Sequence, residues 1–296
     1  MIEKNKLLEY LKKIDDEFVE YSDDASLICD DIEKMSMDNI IQKERAVLGL
    51  DIYKYSGYSE EKQKLIPFVF DLLLDETIKH VKQVEPTFFG NDYNKTLIPT
   101  GDGGFLLFET PLHALLFNLY FYSNLQFFNT GHFFPKLSKY IGEIIIRSAI
   151  TLDNVFFYEN NYFGKGIITN ARILSKDRLN RFLIDKNVYN YFVKKVNGLE
   201  TLPILTKNQI KKVFKTETEI ISWFIYKEEN LPEGKFYIND RIRNIHIQKI
   251  DNLFEKDTKL TLYNVEIQIV VDLVDERDRT KLVKFIISIG NTNALA

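Results

Sequence analysis

Two aspartates lie in stretches suited to close chain contact. Asp102 sits in LIPTGDGGFLLFE, residues Leu97–Glu109, among Gly101, Gly103 and Gly104. Glycine accepts positive φ and close backbone approach, so this stretch reads as a tight hairpin that would hold one carboxylate at the end of two strands. An Asp-Gly pair also suits an ordinary turn, so Asp102 needs a companion before it means chemistry. Asp51 offers one, at the end of the apolar run AVLGLD and just before the turn IYKYSGYS. If that run is a strand beside the hairpin, the two carboxylates meet at one sheet edge. Carboxylates without histidine or cysteine partners suit hard, oxygen-loving ions, Mg²⁺ or Mn²⁺. Two such ions act on phosphoryl centres, where they stabilise the attacking and leaving oxygens. The turn from Tyr53 to Ser59 could add backbone N–H groups for phosphates.

The elements that must position these residues follow from periodicity. Residues 1–45 carry Leu7, Leu8, Leu11, Ile14 and Phe18 at helical spacing, break near Ser22 to Ser26, and read as an N-terminal helical cap. Ala46 to Ser56 reads as a buried strand with its polar turn, and Glu60 to Val84 as a helix. Leu97 to Phe108 is the glycine hairpin. Thr110 to Phe128 is apolar at helical spacing, with Pro111 suited to a first turn. Ile141 to Thr151 reads as a strand, Asn154 to Phe163 as a hairpin arm, Gly166 to Leu179 and Val188 to Val196 as helices. Residues 199–235 look like an insertion. Ile245 to Gln248 and Leu260 to Leu273 are closing strands. Helices interleaved with an antiparallel sheet make an α+β fold, with the main domain over 46–275 and a tail or last strand over 276–296.

Composition excludes several classes. The 39 basic and 43 acidic residues leave a net charge of −4, which disfavours a nucleic-acid binder driven by overall charge. No apolar run is long enough to span a membrane, and MIEKNKLLEYLKK is no secretory signal. A single cysteine, Cys29, rules out a disulfide framework or a cysteine zinc site. A cytoplasmic protein is the expectation. His80, His113, His132 and His246 share no metal-ligand spacing, and Trp223 sits in the apolar ISWFIY.

Four stretches together resemble the class III nucleotidyl cyclases. LDIYKYSGYSEE is similar to their first metal motif and PTGDGGFLLF to their second. YFGKGIITNARILS resembles their helix motif, which opens on a glycine and carries an arginine on its inner face. KIDNLFEKDTKLTLYNVEI resembles their final segment, with a lysine before the last strand. The order and spacing match over about residues 46–270. The resemblance implies a ferredoxin-like antiparallel sheet with helices packed on it. It implies that Asp51, Asp102 and the Ile52 carbonyl hold two Mn²⁺ or Mg²⁺ ions. Arg172 would stabilise transition-state charge, and Lys256 (or, on another alignment, Lys249) would grip the triphosphate. Tyr55 and Ser56 would lie against the substrate. A homodimer with composite sites is implied, with the aspartates from one subunit and Arg172 and Lys256 from the other.

The departures bear on the substrate. The family asparagine four residues before the arginine falls on Ile168, and Asn170 is a poor substitute. The purine-reading positions fall on Ile98 and Asn161. Isoleucine cannot hydrogen-bond a purine edge, and a purine there would leave polar groups unpaired. With both aspartates, Arg172 and Lys256 retained, the pattern resembles the pyrimidine cyclases of bacterial Pycsar anti-phage systems. That resemblance implies UTP as substrate, with CTP as the alternative, and a cyclic nucleotide read by a separate effector. A purine cyclase with an unusual pocket and an inactive nucleotide-binding or dimerisation module are the competing expectations. Tyr53, Tyr55 and Tyr58 could stack on a base, although packing explains them as simply.

Overall fold

The computed structural model describes residues 42–86, 88–158, 161–205, 207–214, 239–250, 252–255, 258–274 and 282–290, with Glu9 and Lys12 besides. Of the helical cap expected over 1–45, only Glu9 and Lys12, both helical, and residues 42–45, which already belong to a strand, are described.

The chain runs β1 (Gln42–Ile52), α1 (Glu60–Val84), β2 (Leu97–Pro99), β3 (Gly103–Phe108), α2 (Pro111–Asn129) and α3 (Pro135–Ile141). It continues through β4 (Ile146–Tyr158), β5 (Asn161–Phe163), α4 (Lys165–Lys176), β6 (Phe182–Asp185) and α5 (Lys186–Val196). A short 3-10 turn and α6 (Lys207–Phe214) precede β7 (Asn239–Lys249), the hairpin β8 (Leu253–Glu255) and β9 (Thr258–Leu260), then β10 (Leu262–Val274) and β11 (Leu282–Ile289). The tail or last strand expected over 276–296 includes the paired strand β11.

The main sheet runs β11-β10-β6-β4-β1-β3-β2, with β5 on β4 and β7 on β10. It is not the purely antiparallel sheet expected: β6 pairs parallel to β4, with Ser148 opposite Phe182 and Ile150 opposite Ile184. The cause is α4. A chain that leaves a strand, crosses one sheet face as a helix and returns beside that strand must run in the same direction. The short strand FLID and the helix PKLSKYI were not distinguished in the sequence reading. Four apolar-rich residues carry too little period to separate strand from loop.

Strict alternation along β1 gives the sheet two unlike faces. Ala46, Leu48, Leu50 and Ile52 pack into the larger core with α1 and α2. Val47 enters a smaller cluster with Phe105, Ala149, Ile173 and Leu183, under α4. Helix α2 is apolar around almost its whole circumference because it is covered by the sheet on one side and α1 on the other. Its polar residues find partners inside: Tyr122 donates to the Ile146 carbonyl at 2.6 Å, and Asn118 to Ser148 at 3.3 Å. Among the described residues, no helix is long and apolar enough to cross a membrane.

Helix α4 is keyed to the sheet by Asn170. Its amide donates to the Val47 carbonyl at 2.8 Å and the Ala149 carbonyl at 3.0 Å, and the residue is fully buried. A Cβ at Gly49 would come 2.1 Å from the Asn170 Oδ1, so glycine at residue 49 leaves room for the Asn170 side chain as it stands.

Candidate active site

The two aspartates meet. Asp51 is the register partner of Gly103, the residue after Asp102, where β1 and β3 run side by side. The Ile52 N–H donates to the Asp102 carbonyl at 2.9 Å, which ties the first aspartate's neighbour to the second aspartate's backbone. A Cβ on Gly103 would lie 2.1 Å from the Leu50 carbonyl and 3.0 Å from the Asp51 Cα. Gly101 supplies a different need: its φ of +97° makes the turn, and nothing crowds it. The glycines thus serve separate ends, one bending the chain and one letting two strands carry carboxylates within reach of each other.

Asp51 is on the α4 face of the sheet, in step with Val47 and Gly49. Burial pushes its carboxyl above the ordinary aspartate range, contact with Arg147 pulls it back, and the nearby Asp102 charge adds to the rise. Arg147 stands opposite Asp51 on β4. Its Nε donates to the Asp51 carboxylate and its terminal nitrogen to the Asp177 carbonyl, just beyond α4. Tyr53 borders the same place: its hydroxyl donates to the Arg178 carbonyl at 3.0 Å, and its ring lies 6.0 Å from the Arg147 guanidinium. Arg147 was missed in the sequence reading. Its signal was an arginine set into the buried strand run IIIRSAIT, where a charge must have a partner.

The donor set fits a hard divalent cation. Asp51 and Asp102 stand close enough for each charge to act on the other, and an oxygen-binding cation would offset both the burial of the Asp51 carboxylate and the smaller effect of the Asp102 charge on it. Asp51, Asp102 and the Ile52 carbonyl are the groups available for it. Among the described residues no cluster of three or more His, Cys, Asp or Glu side chains is found, so any ion would need substrate oxygens or water to complete its shell.

The other expected residues divide. The Tyr55 hydroxyl donates to the Gln63 carbonyl at 2.8 Å, and its ring packs against the larger core, so Tyr55 braces the turn rather than facing a ligand. Ser56 is exposed in that turn. The turn amides expected to face phosphates are partly spent: Gly57 N–H donates to the Lys54 carbonyl and Tyr58 N–H to the Tyr55 carbonyl. Ile98 is half-buried on β2, opposite Phe105, and packs on the smaller cluster together with Leu107 and Tyr162. Asn161 is exposed, its side chain accepting from the Tyr162 N–H at 2.8 Å. A cavity of about 370 Å³ opens beside this strip, lined by Arg45, Thr96, Leu107, Glu109 and Tyr162 among others.

Arg172 is half-buried on α4. Gly166, Thr169, Asn170, Ile173 and Leu174 form the buried side of that helix. At 100° per residue, Ile168 then lies on the opposite side and Arg172 at the flank, and Ile168 is 52% exposed. Asn170 holds the inner face of α4, and Arg172 lies half-buried beside it. Lys256 lies outside the described residues.

No protein-family model matches the sequence, and no curated protein matches it. Among solved structures the chain is similar to the catalytic core of a rhodopsin-guanylyl cyclase with converted specificity in complex with ATPαS. That likeness has 14% identity over 76% of this chain and 97% of the other, at a TM-score of 0.45. It is similar to the guanylate cyclase domain of RhGC from Catenaria anguillulae in complex with GTP, at 14% identity, 76% and 97% coverage and a TM-score of 0.44. It is also similar to the adenylyl cyclase CyaB from P. aeruginosa, at 12% identity, 77% and 95% coverage and a TM-score of 0.43.

Proposed function

We propose that the chain is a pyrimidine nucleotide cyclase that converts UTP to 3′,5′-cyclic UMP and pyrophosphate. The observation that carries this reading is the meeting of Asp51 and Asp102 across the Gly103 crossing. It supports the four-motif resemblance, because a chance turn would have no reason to abut a second carboxylate. Mn²⁺ or Mg²⁺ held by Asp51, Asp102 and the Ile52 carbonyl would polarise the α-phosphate and favour ionisation of the ribose 3′-hydroxyl. The 3′-oxygen attacks the α-phosphorus, the bond to the β-phosphate breaks, and pyrophosphate leaves. Arg147, held by Asp51 and the Asp177 carbonyl, keeps a permanent positive charge beside the phosphates.

The exposure of Ile168 on α4, one turn before Arg172, supports a homodimer in which Arg172, with Lys256, would serve the partner's aspartates. Ile98, which packs on the smaller cluster, offers no hydrogen bond to a purine edge, which supports a pyrimidine over a purine. The product would be a second messenger in anti-phage defence, read by a separate cyclic-nucleotide-binding effector.

The test is incubation of purified protein with each of the four ribonucleoside triphosphates and Mn²⁺, followed by product identification. Cyclic UMP is the expected main product, with Asp51→Ala and Asp102→Ala each inactive but folded. Cyclic AMP or GMP as main product would reject the pyrimidine reading. Full activity in either aspartate variant would reject the metal assignment.

A further inference from the structure

The cavity of about 370 Å³ lies at the opposite end of β1 from Asp51. Arg45, Leu107, Glu109 and Tyr162 line it, with Asp92 and His113. Ala46 is paired with Phe108, so Arg45 and Glu109 follow side by side. Their charged groups stand 3.7 Å apart, in Coulombic contact but too far for a hydrogen bond. The Glu109 side chain is 76% exposed and that of Arg45 30%. A fork of donors and a carboxylate acceptor are thus presented together. Tyr162 is half-buried on the smaller cluster, so part of its surface stays open to the cavity. Burial holds the His113 imidazole below its ordinary range, so it adds no charge at neutral pH. Two carboxylates against one guanidinium leave the cavity negative. That repels phosphate and suits the uncharged end of a nucleotide.

Alternation along β1 puts Arg45 on the α4 face with Val47, Gly49 and Asp51. Six residues of strand carry the chain from Arg45 to Asp51, about 20 Å. The base and the α-phosphate of one nucleotide stand closer together than that. A nucleotide with its base in this cavity therefore reaches the aspartates of a second copy of the chain, not those of its own.

We propose that Arg45 and Glu109 read the edge of the pyrimidine base, with Tyr162 beside its ring. The proposal rests on the reading of the chain as a pyrimidine cyclase and names the residues that choose its substrate. They take over a task that Ile98 cannot perform and for which the Asn161 side-chain oxygen is already engaged by the Tyr162 N–H at 2.8 Å. Uracil presents N3–H between two carbonyls. Glu109 accepts from that N–H, and Arg45 donates to the carbonyl oxygen next to it. Cytosine in the same pose sets an unprotonated N3 against the carboxylate, acceptor against acceptor. A mismatch of that kind costs about tenfold or more in affinity. The pair therefore favours UTP over CTP.

The test compares UTP and CTP as substrates of the full chain and of Glu109→Gln, with Mn²⁺. The unaltered chain should show a kcat/KM for UTP about tenfold or more above that for CTP. An amide presents either its oxygen or its N–H₂. Glu109→Gln should therefore shrink that ratio at least about threefold, through KM rather than kcat. Cyclic UMP formation by the unaltered chain with an unchanged ratio in the variant would overturn the proposal and leave the cyclase reading standing. Failure of the unaltered chain to make cyclic UMP would overturn both. Calorimetric titration with 3′-deoxy-UTP, which lacks the attacking hydroxyl, repeats the comparison without turnover. The double variant Arg45→Ala with Glu109→Ala should bind it at least about tenfold more weakly than the unaltered chain, and equal affinity would overturn the proposal. Mixing that double variant with Asp51→Ala, at UTP well below KM, should restore about one quarter of the activity, since half of the dimers are mixed and each keeps one intact site. No recovery would mean that the cavity and the aspartates of one chain serve the same nucleotide, which would overturn the placing of the base.

Discussion

Replacing Gly103 by alanine separates the two roles of glycine in the hairpin. The added Cβ would lie 2.1 Å from the Leu50 carbonyl oxygen and 3.0 Å from the Asp51 Cα. An ordinary carbon to oxygen contact is about 3.3 Å, so β1 and β3 must part by roughly 1.2 Å at the point where they carry the two aspartates. Both groups that clash are backbone, so no rotamer change relieves the contact. Overpacking of this kind costs about 3 kcal/mol, or a fall in melting temperature of roughly 5 °C. A misplacement near 1 Å also costs about 100-fold in turnover when reacting groups must be held in register. Gly101→Ala is the control: its φ is +97° but nothing lies within 4 Å of the added atom. It should cost about 1–2 kcal/mol of backbone strain and leave the proposed Mn²⁺-dependent turnover close to that of the unaltered chain. Thermal melts and Mn²⁺-dependent turnover measured on both variants decide the matter. A Gly103→Ala protein with unchanged melting temperature and turnover would refute the close crossing and, with it, the placing of the carboxylates.

Two further perturbations bear on the scaffold. Glu85 is fully buried, with one oxygen accepting from Tyr120 at 3.1 Å and the other without a partner, and burial pushes its carboxyl up to about 9. The folded chain then holds a proton that the unfolded chain gives up near pH 4.5. That contribution to stability is complete below about pH 4.5 and is lost as pH rises towards 9, at up to about 1.4 kcal/mol per unit. Glu85→Gln should flatten the fall in denaturation midpoint between pH 6 and 8; equal slopes in both proteins would contradict a buried, protonated Glu85. Asn170→Ala removes three hydrogen bonds that key α4 to the sheet, to the Val47 and Ala149 carbonyls and the Thr151 hydroxyl, and should cost about 2–3 kcal/mol. Urea denaturation measures it, and a loss below about 0.5 kcal/mol would show that α4 docks without that key.

Much of the local structure was legible in the chain itself. Glu60–Val84 emerges with the bounds that its helical period implied, and Pro111 begins α2 as a proline at a first turn should. The hairpin around Asp102 follows from its glycines, since φ of +97° at Gly101 is a requirement that few other residues meet. The type of each candidate side chain, and the apolar character of Ile98, were likewise properties of sequence. These are local matters, set by period, turn chemistry and residue type.

Other features belong to tertiary structure alone. That Asp51 abuts Gly103 depends on which strand pairs with β1 and in what register, and strand pairing is a long-range choice that no local pattern encodes. Arg147 gained meaning only when β4 set it opposite Asp51. The parallel β4 and β6 pairing followed from the path of α4 over the sheet, and Asn170 took the inner face of that helix because Gly49 left room for it. The cavity at the opposite end of β1 from Asp51 unites Arg45 with Glu109 and Tyr162, far apart in the chain. Sequence supplied carboxylates, glycines and cations; packing determined which of them stand close enough to act on one another, because electrostatic and steric effects depend on distance in space and not on separation along the chain.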